Sequence, residues 1–139
     1  MLATGGEILG VRGAVTSRLD LAHIVEKGLP ASAIDRIKES LDLSDSALTA
    51  ALAISTKTLG RMRKTRRHLS LLEGDRLYRL AQLVVLAHDV FERDDLVQNW
   101  FRTPQVGLNN RTPIAVMVTE AGAREVEDLL LRVEYGVLT

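Results

Sequence analysis

Lys57, Arg61, Arg63, Lys64, Arg66 and Arg67 are six of the chain's 18 basic residues, and no acidic residue interrupts the stretch from Ser46 to Leu72. Guanidinium and ammonium groups at that density can displace counterions from a polyanion and hold its phosphates. Ser55 and Thr56 stand just before them and can donate to phosphate oxygens or base edges. Two short helical patterns flank a break at Ala53-Ile54. Leu48 and Leu52 anchor the first pattern; Ile54, Leu59 and Met62 anchor the second. This is the pattern of a helix-turn-helix whose second helix enters a DNA groove. Ser55, Thr56, Lys57 and Arg61 then share the outward N-terminal face. Arg63, Lys64, Arg66 and Arg67 lie towards the sugar-phosphate backbone. The turn carries Ala53 where glycine is common, and a non-glycine residue there is strained if φ is positive.

Other chemistry is missing from the sequence. The chain has no cysteine, which excludes disulfides and thiolate metal sites and suits a reducing cytoplasm. His23, His68 and His88 have no ligand-like spacing. No Ser/His/Asp set, phosphate-cradling glycine loop or metal cluster is present. No catalytic residue, metal or cofactor is therefore expected, and the chain does not read as an enzyme. Met1-Leu-Ala-Thr-Gly-Gly lacks a basic segment followed by an apolar run, so no secretory signal is expected. The apolar stretch from Leu80 to Phe91 is too short to span a bilayer.

The formal net charge is zero, and that total hides an uneven distribution. Residues 1–45 carry five basic and seven acidic side chains (net −2), whereas residues 46–72 carry six and none (net +6). Residues 73–88 carry two of each, and residues 89–139 carry five and nine (net −4). A basic patch between acidic flanks fits one anionic partner and a second surface facing something else.

The elements that must position these groups are helical. Hydrophobic content is 46% while aromatics supply only 4%, so Leu, Val, Ile and Ala fill the interior. Residues 1–29 are Gly-rich and weakly patterned, with a short strand at Ile8–Val11 and a helical turn at Leu19–Val25. Pro30 is placed to open a helix bearing Ile34, Ile37, Lys38 and Leu41. Ser44 and Ser55 can cap the two helices of the motif. A longer core helix is expected from about Glu73-Gly-Asp75, with Leu77, Leu80, Ala81, Val84, Ala87 and Phe91 on one face. Asp95 to Arg102 follows, bearing Leu96, Trp100 and Phe101, the last two read as core. Gly107 to Pro113 reads as a loop, Thr112 with Pro113 as a helix start, and Ala121 to Tyr135 as the final helix, capped by Thr119 and stopped by Gly136. The expectation is an all-α protein.

The order and spacing of several short segments resemble one family. They are Gly28-Leu-Pro30, Thr58-Leu-Gly-Arg-Met-Arg63, Glu73-Gly-Asp-Arg-Leu77, Asn99-Trp-Phe-Arg-Thr-Pro104, Arg111-Thr-Pro-Ile114, Thr119-Glu-Ala-Gly-Ala123, Val126-Glu-Asp-Leu-Leu130 and Glu134-Tyr-Gly-Val137. Together they resemble antitoxins of the Xre/MbcA/ParS type, the partners of RES-domain toxins. Members carry Glu-Ser-Asp-Arg-Leu where this chain has Gly74. They carry a Leu-Gly-Gly turn where it has Leu108-Asn-Asn110, and asparagine can take the left-handed backbone that glycine would.

The resemblance implies an Xre-like helix-turn-helix core, residues 30–72, followed by a C-terminal helical toxin-binding domain, residues 73–139. It implies a protein inhibitor of a NAD-depleting RES-domain toxin, blocking the toxin's active site with its C-terminal end. The residues carried over for that role are Glu134, Tyr135, Gly136, Val137, Leu138 and Thr139. The Thr139 carboxylate could pair with a basic group in a site built for an anionic dinucleotide. The resemblance also implies repression of its own operon by binding operator DNA. A homodimer is expected on geometric grounds, because two recognition helices then meet successive major grooves about 34 Å apart. Two competing readings stand beside this one. One is a plain helix-turn-helix transcription regulator with a dimerising or sensing C-terminal domain; the other is an inhibitor that no longer binds DNA.

Overall fold

The computed structural model describes Leu9 and residues 18–134, and within them the chain is helical, with one isolated antiparallel bridge between Gln105 and Arg111. α1 spans Arg18–Lys27 and α2 spans Ser32–Leu41. The motif follows as α3, Asp45–Leu52, and α4, Thr56–Thr65. The long α5 runs Leu71–Phe91 and α6 runs Asp94–Arg102. A single 3₁₀ turn, Val106–Leu108, leads to the short α7, Pro113–Val116, and to α8, Glu120–Glu134. The strand expected at Ile8–Val11 lies, but for the buried Leu9, outside the described residues.

Local chemistry explains most helix starts. The Ser44 hydroxyl accepts from the Ala47 amide at 3.1 Å, and the Ser55 hydroxyl accepts from the Thr58 amide at 3.0 Å. Each satisfies one of the amides that an α-helix leaves without an internal partner. α5 begins two residues before the expected Glu73. Ser70 and Glu73 form a reciprocal capping box in which the Glu73 carboxylate accepts from the Ser70 amide at 2.8 Å. Gly74 and Asp75 therefore lie inside the helix. Pro30 does not open α2 at its first position. Its carbonyl accepts from the Ala33 amide at 3.0 Å, and the helix proper starts at Ser32. Leu96 is exposed, and Val97 takes the inward position beside Trp100 and Phe101.

The first five helices end on left-handed residues, four of them not glycine. Asp42, Ala53, Arg66 and Glu92 all have φ between 50 and 62° and close α2 to α5 in turn. Gly28 ends α1 at φ 103°, and its amide donates to the carbonyls of Ile24 and Val25. At the turn of the motif, the Ala53 amide donates to Ala50 and the Ile54 amide to Thr49, the paired bonds of a Schellman stop. Ala53 sits at φ 54° and ψ 43° and is exposed, so a side chain at that conformation is paid for in backbone strain. Ala53→Gly is expected to stabilise the fold by roughly 0.5–1 kcal/mol, after the added unfolded-state entropy is subtracted, and to raise Tm by ~2–4 °C. A thermal melt with unchanged or lower Tm would contradict this account of the turn.

One apolar core serves the whole described chain. α5 is its spine: it packs most extensively on α8 and also touches α1, α2, α3 and α6. α2 rests on α6, and α3 on α7. Leu77, Leu80, Ala81, Val84 and Ala87 of α5 are completely buried. Trp100 stands between Phe91 and Phe101 with ring centroids at 5.8 and 5.3 Å, so three of the few aromatic rings close one end of the core. α6 is also joined to the C-terminal end of α2 by polar contacts. The Gln98 amide donates to Ser40 O at 3.2 Å, and Arg102 donates to Asp42 O at 3.3 Å.

Candidate nucleic-acid interface and C-terminal surface

α4 has two faces. Leu59 and Met62 are buried, and Ile54 and Thr58 are half-buried beside them. Thr56, Lys57, Gly60, Arg61, Lys64 and Arg66 are exposed. Within the described residues, the side chains of Lys57, Arg61, Lys64 and Arg66 make no hydrogen bond or ion pair with the protein. Three cations of α4 and Arg66 at its C-cap thus project with their charge uncompensated locally. Ser55 has a different use: its hydroxyl caps α4 and donates to the Thr58 hydroxyl at 2.9 Å.

Arg63 and Arg67 depart from the expectation of open phosphate contacts. Arg63 turns back into the motif. Its Nε and Nη2 donate to Asp35 Oδ1 at 3.1 and 2.8 Å, and its Nη1 and Nη2 donate to the two Asp45 oxygens at 3.0 Å each. Lys38 adds a second cation to Asp45 Oδ1 at 3.0 Å. One guanidinium therefore ties α4 to both α2 and the first turn of α3, using the fork geometry that lysine lacks. The hydrogen bond from Arg63, then that from Lys38, hold the Asp45 carboxyl down at about 2, while its carboxylate partners raise Arg63. A carboxyl lowered in this way adds stability above its unfolded value, and that contribution is lost as pH falls from about 4 towards 2. The cluster therefore persists across the neutral range.

Arg67 makes a bidentate pair with Glu73, Nη1 to Oε1 at 3.0 Å and Nη2 to Oε2 at 3.1 Å, and also donates to His68 O. Arg67 is the largest cause of the lowered Glu73 carboxyl, which the Ser70 amide also favours. This links the exit of α4 to the cap of α5. His68 Nδ1 lies 2.9 Å from Gly28 O, so this histidine joins the α1 stop to the same corner. Sequence reasoning missed these uses because Asp35 and Asp45 lie 28 and 18 residues from Arg63.

The other candidate surface is the acidic C-terminal end. α8 buries Ala123, Val126, Leu129 and Leu130, and turns Glu120, Glu125, Glu127, Asp128 and Glu134 to solvent. Val133 is exposed in its last turn, and Val106 is exposed on the 3₁₀ turn. That turn is held by the Gln105–Arg111 bridge, and Asn109 and Asn110 take positive φ of 56 and 62° where a glycine pair would otherwise serve. Glu134 ends α8; Tyr135, Gly136, Val137, Leu138 and Thr139 lie outside the described residues. Among the described residues no group of His, Cys, Asp and Glu is placed to hold a metal ion, and no helix is long and apolar enough to cross a membrane.

Residues 20–82 match the family model of the antitoxin Xre-like helix-turn-helix domain, and residues 86–136 match that of the antitoxin Xre/MbcA/ParS C-terminal toxin-binding domain. The two matches meet inside α5, the helix both units share in the core. Among similar proteins, an antitoxin Xre of Yersinia enterocolitica is 30% identical over 120 residues, covering 86% of this chain and 81% of that protein. An antitoxin Xre of Photorhabdus laumondii is 27% identical with the same coverage. A protein of a Sphingobium species named "Prs ADP-ribosylating antitoxin" is 25% identical over 129 residues, again covering 86% and 81%. With the helix-turn-helix, the long shared helix and the C-terminal helices all in place, the chain belongs to the Xre/MbcA/ParS family of antitoxins, the protective members of toxin–antitoxin systems.

Proposed function

We propose that this antitoxin neutralises a RES-domain toxin that depletes NAD, and that it represses its own operon by binding operator DNA as a homodimer. The observation that carries the DNA half is the set of cations unpaired among the described residues, Lys57, Arg61 and Lys64 on α4 and Arg66 at its C-cap. With Ser55 and Thr56 at the helix start, they form the face that enters the groove. Arg63 and Arg67 hold that face in position through Asp35, Asp45 and Glu73. The toxin half is supported by the toxin-binding description of the family matched at residues 86–136. The relative whose name mentions ADP-ribosylation favours a NAD-consuming partner over other toxin chemistries. Residues 134–139 are the segment proposed to block the toxin's active site, and the work is cytoplasmic.

The test is co-expression with the product of the adjacent reading frame. A stable complex, with cellular NAD restored relative to toxin alone, is the expected result. If the neighbouring product forms no complex, the toxin half falls and a plain regulator remains. For the DNA half, Arg61→Ala and Lys64→Ala are each expected to weaken binding to a promoter duplex. Each should also lower the slope of log K against log salt by about 0.9 for every phosphate no longer neutralised. An unchanged slope in both variants would remove these residues from the interface.

A further inference from the structure

Gly28 and Gly122 have visible structural reasons for lacking a side chain, and Gly60 does not. Gly28 needs its positive φ, and a Cβ there would meet His68 Cβ at 3.1 Å and Leu69 O at 3.2 Å. A Cβ on Gly122 would lie 1.8 Å from the Val116 carbonyl oxygen, whereas one on the buried Gly74 would make ordinary packing contact with Val25 Cγ1 at 3.4 Å. A Cβ on Gly60 would meet nothing within 4 Å. Gly60 lies in the middle of α4, in ordinary right-handed helical backbone and exposed. Glycine at an exposed interior helix position loses stability relative to alanine through its backbone entropy. Among the described residues no neighbour within 4 Å accounts for that loss.

Its position suggests what does. Helical spacing puts Lys57, Gly60, Arg61 and Lys64 on one face. Gly60 thus stands in the centre of the uncompensated cations and leaves a bare stretch of backbone between their stems. Absence of a side chain matters when another surface must approach the backbone closely. A charged face surrounding the gap selects a polyanion as that surface. An α-helix seated in a major groove is closely confined by the groove walls, so one methyl group on its inward face changes how deeply it sits. We infer that Gly60 is a docking position: duplex DNA comes into van der Waals contact with the α4 backbone at residue 60, and the missing side chain sets the depth at which Lys57, Arg61 and Lys64 engage. The inference rests on the reading of α4 as the DNA-binding helix and adds the residue that fixes its seating.

Gly60→Ala in the full chain tests it, with a duplex spanning the promoter region of the gene as probe. Tm should rise by about 3 °C, because alanine favours the exposed helix. Affinity for the duplex should fall on the order of ten-fold or more, the scale of one well-made base interaction. The slope of log K against log salt should stay at the parent value, since no charge is removed. That triple signature, more stable yet weaker at constant slope, differs from the reduced slope expected of Arg61→Ala and Lys64→Ala. Unchanged affinity in Gly60→Ala, with the cation variants still impaired, overturns the seating role and leaves the DNA reading standing. If the cation variants also bind normally, both fall together. Unimpaired DNA binding with a weakened toxin complex would assign the face to a protein partner and overturn the inference. So would a lower Tm, which would place the reason for the glycine inside the fold.

Discussion

Gly122→Ala is expected to lower Tm by ~10 °C or more and to disable toxin binding, from a single added methyl group. Gly122 is the third residue of α8, and its amide donates to the Thr119 hydroxyl at 3.0 Å, so the helix start is fixed by a cap. The Cβ of an alanine would lie 1.8 Å from Val116 O and 2.8 Å from its carbonyl carbon. Those atoms are backbone, at the last residue of α7, and cannot rotate away as a side-chain tip would. α7 or α8 must shift instead. α8 cannot shift freely, because Val126 and Leu130 are completely buried and the helix makes the most extensive packing on α5. Overpacking of this kind costs ~3 kcal/mol at the upper end of its usual range. A Tm within about 2 °C of the parent, on the usual scale of melting shift per kcal/mol, would show that the corner yields easily. Gly60→Ala is the internal control: it is the same substitution in the same fold, with the opposite expected sign, because its Cβ enters open space.

The contrast between those glycines shows where the sequence is informative. The motif itself is legible, since Ser44 and Ser55 each stand three residues before the amide they cap, and Leu48, Leu52, Leu59 and Met62 fall on the inward face. α8 is legible for the same reason, as are its cap and the positive φ of Asn109 and Asn110. The start of α5 misleads because Gly74 and Asp75 imitate a helix beginning. The true signal, Ser70 with Glu73, lies just upstream in an exposed apolar context where Leu71 and Leu72 point to solvent. The division of labour among the basic residues is not legible. Lys57 and Arg63 are the same kind of charge in the same run. Only the fold, which carries Asp35 and Asp45 to one end of α4, separates a cation facing outwards from one that binds helices together. Likewise, no local pattern distinguishes Gly122, wedged against a carbonyl, from Gly60, with nothing beside it.

Deleting residues 135–139 is expected to abolish protection against the co-encoded toxin while leaving the fold and promoter binding in place. The structural half of this expectation follows from burial. Among the described residues the apolar core ends at Leu130, and in the last turn of α8 Val133 and Glu134 are already exposed. The truncation leaves every one of those core residues in place, so Tm should move by no more than ~2 °C. The functional half follows from proposed placement. It rests on the proposed role of residues 134–139 as the block, a segment whose starting point is fixed by the burial of α8 against α5. If that segment is the block, its loss should restore NAD depletion in cells carrying toxin and truncated antitoxin, even where the two proteins still co-purify through the rest of the C-terminal domain. Full protection by the truncated chain would move the inhibitory contact onto the described surface, where Glu134, Val133 and Val106 are the exposed candidates. Parallel loss of promoter binding would show instead that the two surfaces are not separable. The shared α5 spine makes that a physical question, because any disturbance of α8 reaches the motif through the helix both rest on.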